Sequence, residues 1–461
     1  MTSLSARLRR SDRRSETGRR TAKAFTPKEA RSEPKLSFLM KFTAFSIFFF
    51  PSSMVLKPMG AAGTVPLLLA MLVFAFWLGS VLFGLEDPTH RSNPGRLALA
   101  ALWLATTASY VALNAGLTGG SSMPARAAAD RVLILLLASA GLILVISEVV
   151  RSAEDALVLV RWLLAGAFFC CLVALVQFVF RVNPMEWIRA LLPGFTYNGG
   201  DTPFQTRAAL VRVAGSTFHS IELAVVSSML LPLSIWRAVY DPLGRKWFHW
   251  LQCSLLVIAI ASTVSRSGVI GLVTGLFTFV PFLPKGARKW TVIVAPITMA
   301  SLFLIIPGLM STLASSFTIG SADPSISTRT NNYPRVEALF NERPILGLGP
   351  GNYIFETALQ ILDNQYLTAL VTLGGVGLVG TAVYFVLPAI SALMAAKAIK
   401  VQKTKSLAGA VAGGGLVAAV CSFTFDSLSF PVFALTYPIL IGLSGTVWCL
   451  ARDEKRSSRR S

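Results

Sequence analysis

The sequence predicts an all-α integral membrane protein of about twelve transmembrane helices, with two long external loops forming a cap. Three observations carry this. The 461 residues are 54% hydrophobic and only 14% charged, where a soluble chain is about one quarter charged. Apolar runs recur at the length a bilayer demands, about 20 residues in a helix for a ~30 Å hydrocarbon layer. The charges gather between those runs. Together these argue against a soluble globular enzyme, and they undercut the nucleic-acid reading that a net charge of +20 otherwise invites.

Residues 1–36 form a basic tail, since the first 35 hold eleven Lys or Arg and four acids and offer no apolar face to bury. The polytopic domain occupies 37–451. Its predicted spans are 37–56, 62–83, 97–116, 131–149, 156–180, 219–237, 247–264, 267–283, 290–312, 366–392, 406–424 and 431–450. The first is read as an anchor rather than a secretory signal, because a long polar stretch precedes it and no small-residue cleavage site follows. Residues 452–461 form a second basic tail with five bases and two acids. An even number of spans puts both tails on one side, and the positive-inside rule makes that side cytoplasmic; the expected location is the cell inner membrane. Thirteen further bases then lie in cytoplasmic loops. Eleven lie outside, ten of them arginine.

Seven of the external arginines fall in two connections, 181–218 and 313–365. Loops longer than about 15 residues are usually functional or disordered. These contain Trp187, Phe195, Tyr197, Tyr333, Phe340 and Tyr353, so a folded cap is expected. All five cysteines lie within apolar stretches, with no disulfide framework or zinc spacing. No P-loop is present, because the run Gly347-Leu348-Gly349-Pro350-Gly351 lacks the Lys and Ser/Thr that must follow, and there is no H-E-x-x-H.

Four segments, and a fifth, weaker one at Asp426, could carry chemistry. Arg212 through Glu222 places an arginine, His219 and a carboxylate at the external lip. Glu222 is either a functional group in the first turn of an apolar helix or a carboxylate stabilised by the helix N-terminus, and His219 is either catalytic or a cap. Arg266, in the polar hairpin Ser262 to Gly268, either binds an anion or snorkels to the interface. Arg329, Tyr333 and Arg343 flank the glycine run, where a guanidinium fork matches phosphate oxygens and the glycines form either an anion cradle or an ordinary turn. Asp363, with Asn364, Gln365 and Tyr366, opens a helix, and is either an N-cap or a base for a hydroxyl proton. Asp426, in an external turn, is better explained by turn formation.

In order and placement these segments resemble the O-antigen ligase and polymerase family, membrane glycosyltransferases acting on lipid-linked glycans. The resemblance rests on Arg212 with Gly215 to Glu222, Ser265-Arg266-Ser267-Gly268, Arg329 to Gly351, and Asp363-Asn364-Gln365-Tyr366-Leu367, and it covers roughly 210–430. It implies an undecaprenyl-pyrophosphate-linked glycan as donor, a glycan, lipid or protein as acceptor, surrounding membrane lipids, no nucleic acid, and neither metal nor other cofactor. Arginines matching Arg212 and Arg266 would hold the pyrophosphate. Tyr333, Arg329, Arg343, Asn364 and Tyr366 are the further substrate-binding candidates, and Asp363, His219 and Glu222 the catalytic ones. Where the ligases carry the histidine of a His-Asn motif this chain has Asp363, so the base stays open between Asp363 and His219. Thr372 stands where relatives carry glutamate. A transporter or flippase for a lipid-linked anionic substrate is the alternative; it would place charges at the bilayer midplane rather than at the lip.

Overall fold

The computed structural model describes residues 36–85, 92–117, 122–198, 204–207, 210–305, 331–353 and 360–459. Every predicted span contains a helix: α1 (Phe38–Phe49), α2 (Val65–Leu82), α3 (Pro94–Asn114), α4 (Met123–Val149) and α5 (Ala153–Phe180) come first. A short helix α6 (Met185–Ala190) precedes α7 (Ser220–Tyr240), α8 (Lys246–Ser262), α9 (Arg266–Phe279) and α10 (Lys285–Ile305). The loop helix α11 (Tyr333–Glu342) leads to α12 (Gln365–Ala398), α13 (Gln402–Cys421) and α14 (Pro431–Ser457). Among the described residues eight helices are long and apolar enough to cross a membrane, namely α2 to α5, α7 and α12 to α14.

The departures from expectation have local causes. Helix α1 is only 12 residues long, because Phe50 precedes Pro51 and is pushed out of the helical region; the chain then enters strand β1 (Met54–Leu56). Helices α8 and α9, with 17 and 14 residues, meet in a three-residue turn that requires Val264 at φ 48°. Helix α4 starts eight residues early, because Ser122 accepts a hydrogen bond from Ala125 N at 3.3 Å and Pro124 suits a first turn. At the other end of the chain α14 runs on to Ser457, into the expected tail, and Glu454 accepts from Lys400 N at 3.0 Å.

Helices α7, α13 and α14 form the buried centre of the bundle, and α14 is almost wholly enclosed. Outer helices present large apolar side chains outward, with Phe76 65%, Leu104 72% and Phe277 83% exposed. Water does not tolerate such a surface, and lipid does. At the end opposite the arginine-bearing turns, Arg161 pairs with Asp241 through Nε at 2.9 Å and Nη2 at 2.6 Å, and Arg237 Nε joins at 3.1 Å. Burial works to raise the Asp241 carboxyl, but Arg161, the Leu243 N–H and Arg237 outweigh it and hold the group down to about 2. The mid-helix charge of Arg161 is thereby explained. Arg96 and the Trp77 indole similarly bind Glu148.

The described parts of the two long loops are folded. In the first, β2 (Phe195–Tyr197) pairs antiparallel with β1, and β3 (Phe204–Arg207) with β4 (Leu210–Val213). In the second, residues 344–349 dock against a break in α12. Gly374 leaves helical geometry at φ 70°, ψ −165°, which frees carbonyls and N–H groups that the loop then takes up. Leu348 N donates to Val371 O at 3.0 Å, Gly349 N to Thr372 O at 2.9 Å, and Gly375 N to Pro344 O at 2.8 Å. Ser109 Oγ adds a bond to Leu346 O at 2.7 Å. A Cβ at Gly347 would sit 2.5 Å from the Thr372 carbonyl carbon, at a backbone φ of +67°. We therefore expect Gly347→Ala to undock this loop and cost about 2 to 4 kcal/mol. Thermal melting in detergent and protease cleavage within 331–353 would read it; unchanged melting and cleavage would refute the docking.

Candidate active site

Four helix N-termini, those of α7, α9, α12 and α14, come to the same end of the bundle. Each projects the positive end of its dipole toward that lip. Three are satisfied by side chains. His219 is the N-cap of α7, its Nδ1 accepting from Ile221 N at 3.0 Å. Asn364, one residue beyond the expected Asp363, is the N-cap of α12, its Oδ1 accepting from Tyr366 N at 3.0 Å and Leu367 N at 3.3 Å. Glu222 serves α14: its Oε1 accepts from Val432 N at 2.7 Å and Phe433 N at 2.9 Å, while Oε2 accepts from Phe218 N at 2.8 Å. The fourth, at α9, has no side-chain cap.

The turn from Ser422 to Phe433 joins these ends. Gln365 N donates to Ser422 O at 2.9 Å and to Phe425 O at 3.2 Å, and Gln365 Oε1 accepts from Leu428 N at 2.7 Å. The Phe430 ring packs edge-on against both Phe218 and His219, at centroid distances of 6.2 and 6.0 Å. On the other side Arg212 Nε donates to Thr263 O at 2.8 Å, which ties the β3–β4 hairpin to the turn carrying Arg266. The segment before it is pinned by Gln177, which bonds both the N–H and the carbonyl of Gly215, at 2.8 and 3.0 Å. Gly215 sits at φ +64° with a Cβ position 2.8 Å from Cys170 Sγ, so glycine is required there.

Asp363 and Asp426 form an electrostatically linked carboxyl pair at this lip. Burial pushes Asp426 up to about 6, opposed by the Ser429 and Thr368 hydroxyls and reinforced by the charge of Asp363. Ser429 Oγ donates to Asp426 Oδ2 at 2.5 Å. Asp426, read from sequence as a turn former, thus also stands within the site. Its signal in the sequence is an acid set within the largely apolar segment Phe425 to Phe430. His219 differs in kind: with Nδ1 occupied as an acceptor, the ring carries its proton on Nε2 and offers a donor.

The remaining candidates divide. Tyr333, 52% exposed, opens α11, whose Asn332 donates to Ile361 O at 3.4 Å, two residues before Asp363. Arg343 lies at the far end of α11 and donates to Leu117 O at 2.5 Å. Tyr366 is buried and donates its hydroxyl to Ala419 O at 2.9 Å. Glu222 is wholly enclosed, with both oxygens engaged by backbone. The N–H groups of Leu348 and Gly349 are spent on α12, so an anion cradle there is not what the glycines make. Arg329 lies outside the described residues.

A polytopic membrane protein whose arginines, uncapped helix end and carboxyl pair share one lip is the class that fold and geometry define. Residues 251–382 match the family model described as O-antigen ligase. The match runs from α8 into the first half of α12 and takes in Arg266, Tyr333, Arg343, Asp363, Asn364 and Tyr366, while Arg212, His219, Glu222 and Asp426 lie beyond it. It bears out, over these residues, the resemblance drawn from the motifs, and it supports glycan transfer in polysaccharide synthesis by a multi-pass membrane protein. Comparison with curated proteins returns no match.

The Glu222 geometry makes a prediction. Glu222→Ala leaves three buried N–H groups without acceptors, an expected loss of about 3 kcal/mol or more. Melting of the purified variant should fall sharply while the surviving folded fraction keeps its substrate affinity. A normal melting temperature with abolished turnover would instead mark Glu222 as catalytic.

Proposed function

We propose that the protein transfers or polymerises an undecaprenyl-pyrophosphate-linked glycan onto an acceptor hydroxyl at the outer face of the cytoplasmic membrane, with both termini cytoplasmic. The observation that supports this most is the tie between Arg212 and the Thr263–Arg266 turn, beside an α9 N-terminus that has no side-chain cap. A pyrophosphate is a dianion or more. Backbone N–H groups, the helix dipole and two guanidinium forks are the donors such a group takes. In the reaction the acceptor oxygen attacks the anomeric carbon, and the bond from that carbon to the pyrophosphate oxygen breaks. The electron pair leaves on pyrophosphate, where Arg212 and Arg266 offset the growing charge. The acceptor proton passes to Asp363. His219, its Nε2 a donor, orients a substrate oxygen rather than acting as base.

Asp426 tunes this step. Once ionised it sets a second negative charge beside Asp363 and favours proton uptake there. Because burial raises Asp426 to about 6, the charge is present at neutral pH and is lost on acidification through that value. Metal independence belongs to the same proposal and rests on the family resemblance.

The test is transfer from a synthetic undecaprenyl pyrophosphate glycan by the full chain in proteoliposomes, with and without a chelator. Arg266→Ala is expected to lose about 10²-fold or more in turnover, and Asp363→Asn about 10² to 10⁴-fold. The rate should rise with pH through about 6, and Asp426→Asn should erase that limb while retaining some transfer. Movement of the lipid-linked glycan across the vesicle with no product would sink the enzyme reading in favour of a transporter.

A further inference from the structure

A second site lies away from the arginine lip. Helices α8 and α9 leave their tight turn and diverge, and the space between them is floored by α7 and flanked by α10. The resulting apolar cavity, about 450 Å³, is lined by Leu231, Cys253, Val257, Leu272, Leu276 and Val294 among others. Its outer edge is aromatic: Trp250 and Trp290 line it and are 41% and 65% exposed. Tryptophan in such a position marks the interface between hydrocarbon and headgroups.

Two features say what the cavity takes. The first is charge. Arg245 and Lys246 open α8, and Lys285, Arg288 and Lys289 lie in the first turns of α10, at the same end of the bundle. No Asp or Glu occurs between Pro242 and Trp290, and the nearby Asp241 is already held by Arg161 and Arg237. The rim is therefore cationic, with Lys285, Arg288 and Lys289 all exposed. The second is a hydroxyl. Thr291 lines the cavity, is 6% exposed, and its Oγ1 has no hydrogen-bond partner among the described residues. A buried hydroxyl without an acceptor costs free energy that a ligand carbonyl would recover. Thr291 follows Arg288 by three residues, so the two share a helix face and are offset by about 4.5 Å along the axis.

Phosphate, then ester carbonyl, then acyl chain is the order of groups in a glycerophospholipid, and it matches basic rim, Thr291, then apolar cavity. We propose that this groove is a binding site for an anionic glycerophospholipid of the leaflet opposite the arginine lip. Its phosphate lies against Lys285, Arg288 and Lys289, an ester carbonyl accepts from Thr291 Oγ1, and an acyl chain fills the space between α8 and α10. The site is separate from glycan transfer and does not depend on it.

Native mass spectrometry of the full chain, titrated with phosphatidylglycerol or phosphatidylcholine and paired with thermal melting, tests this. The intact protein should bind phosphatidylglycerol at least about tenfold more tightly than phosphatidylcholine, as expected for three basic groups near one phosphate. The triple variant K285Q/R288Q/K289Q should lose that preference. Thr291→Val should weaken both lipids several-fold and leave the preference intact, because the ester is common to both. Lipid-free melting of the triple variant should equal that of the intact protein, and that of Thr291→Val should equal or exceed it, since among the described residues the altered side chains make no hydrogen bonds or ion pairs and valine removes an unsatisfied hydroxyl. Equal affinity for the two lipids, an undiminished preference in the triple variant, or displacement of phosphatidylglycerol by undecaprenyl phosphate would overturn the proposal.

Discussion

The carboxyl group of Glu222 holds the lip together. One oxygen takes the two N–H groups that open α14 and the other takes Phe218 N, just ahead of α7. An acid buried without partners would be costly, and three short hydrogen bonds from helix termini are the arrangement that offsets the cost. Two of the most enclosed helices are thereby fixed in register at their N-terminal ends. The Ser422 to Phe433 turn, held from the other side by Gln365, passes that register to α12. The positions of Asp363, Asp426 and His219 all follow from this frame.

A similar exchange between helix and loop orders the second external segment. The break at Gly374 exposes backbone groups inside the bundle that have no water to meet, and residues 344–349 supply the matching donors and acceptors. In a bilayer, irregular backbone persists only where protein satisfies it. The glycines of this run are needed because two backbones approach more closely than any Cβ allows: at Gly374 a Cβ would lie 2.3 Å from the Ile345 carbonyl. Through α11, the same docking also places Tyr333 and Asn332 near the start of α12.

Much of this was legible in sequence, and the limits have physical reasons. Hydropathy located every long helix, because bilayer thickness sets a length that composition must meet. It could not locate the end of α1, which Pro51 decides, nor the extension of α14 into a polar tail, where contact with Lys400 holds the helix. Arg212 and Arg266 lie in separate segments of the sequence, and only the fold shows that Arg212 binds the turn ahead of Arg266. Tyr366 and Glu222 looked functional because polar groups are conspicuous in apolar surroundings. Both turn out to have backbone partners, Ala419 O for one and three N–H groups for the other. Asp426 is missed for the opposite reason: a turn explains an aspartate by itself, and its coupling to Asp363 exists only once the 62 residues of intervening chain are folded.

The positive charge of the chain divides by the kind of oxygen it meets. At one end Arg96, Arg161 and Arg237 meet carboxylates, which largely cancels their charge and leaves them as structural ties. At the lip Arg212 is oriented through Nε by a neutral carbonyl. A guanidinium carries five N–H donors in a rigid fork, and the Thr263 bond sets the orientation of that fork. The same residue type thus staples helices at one end and ties a hairpin to a helix turn at the other, and the difference lies in the acceptor rather than in the arginine.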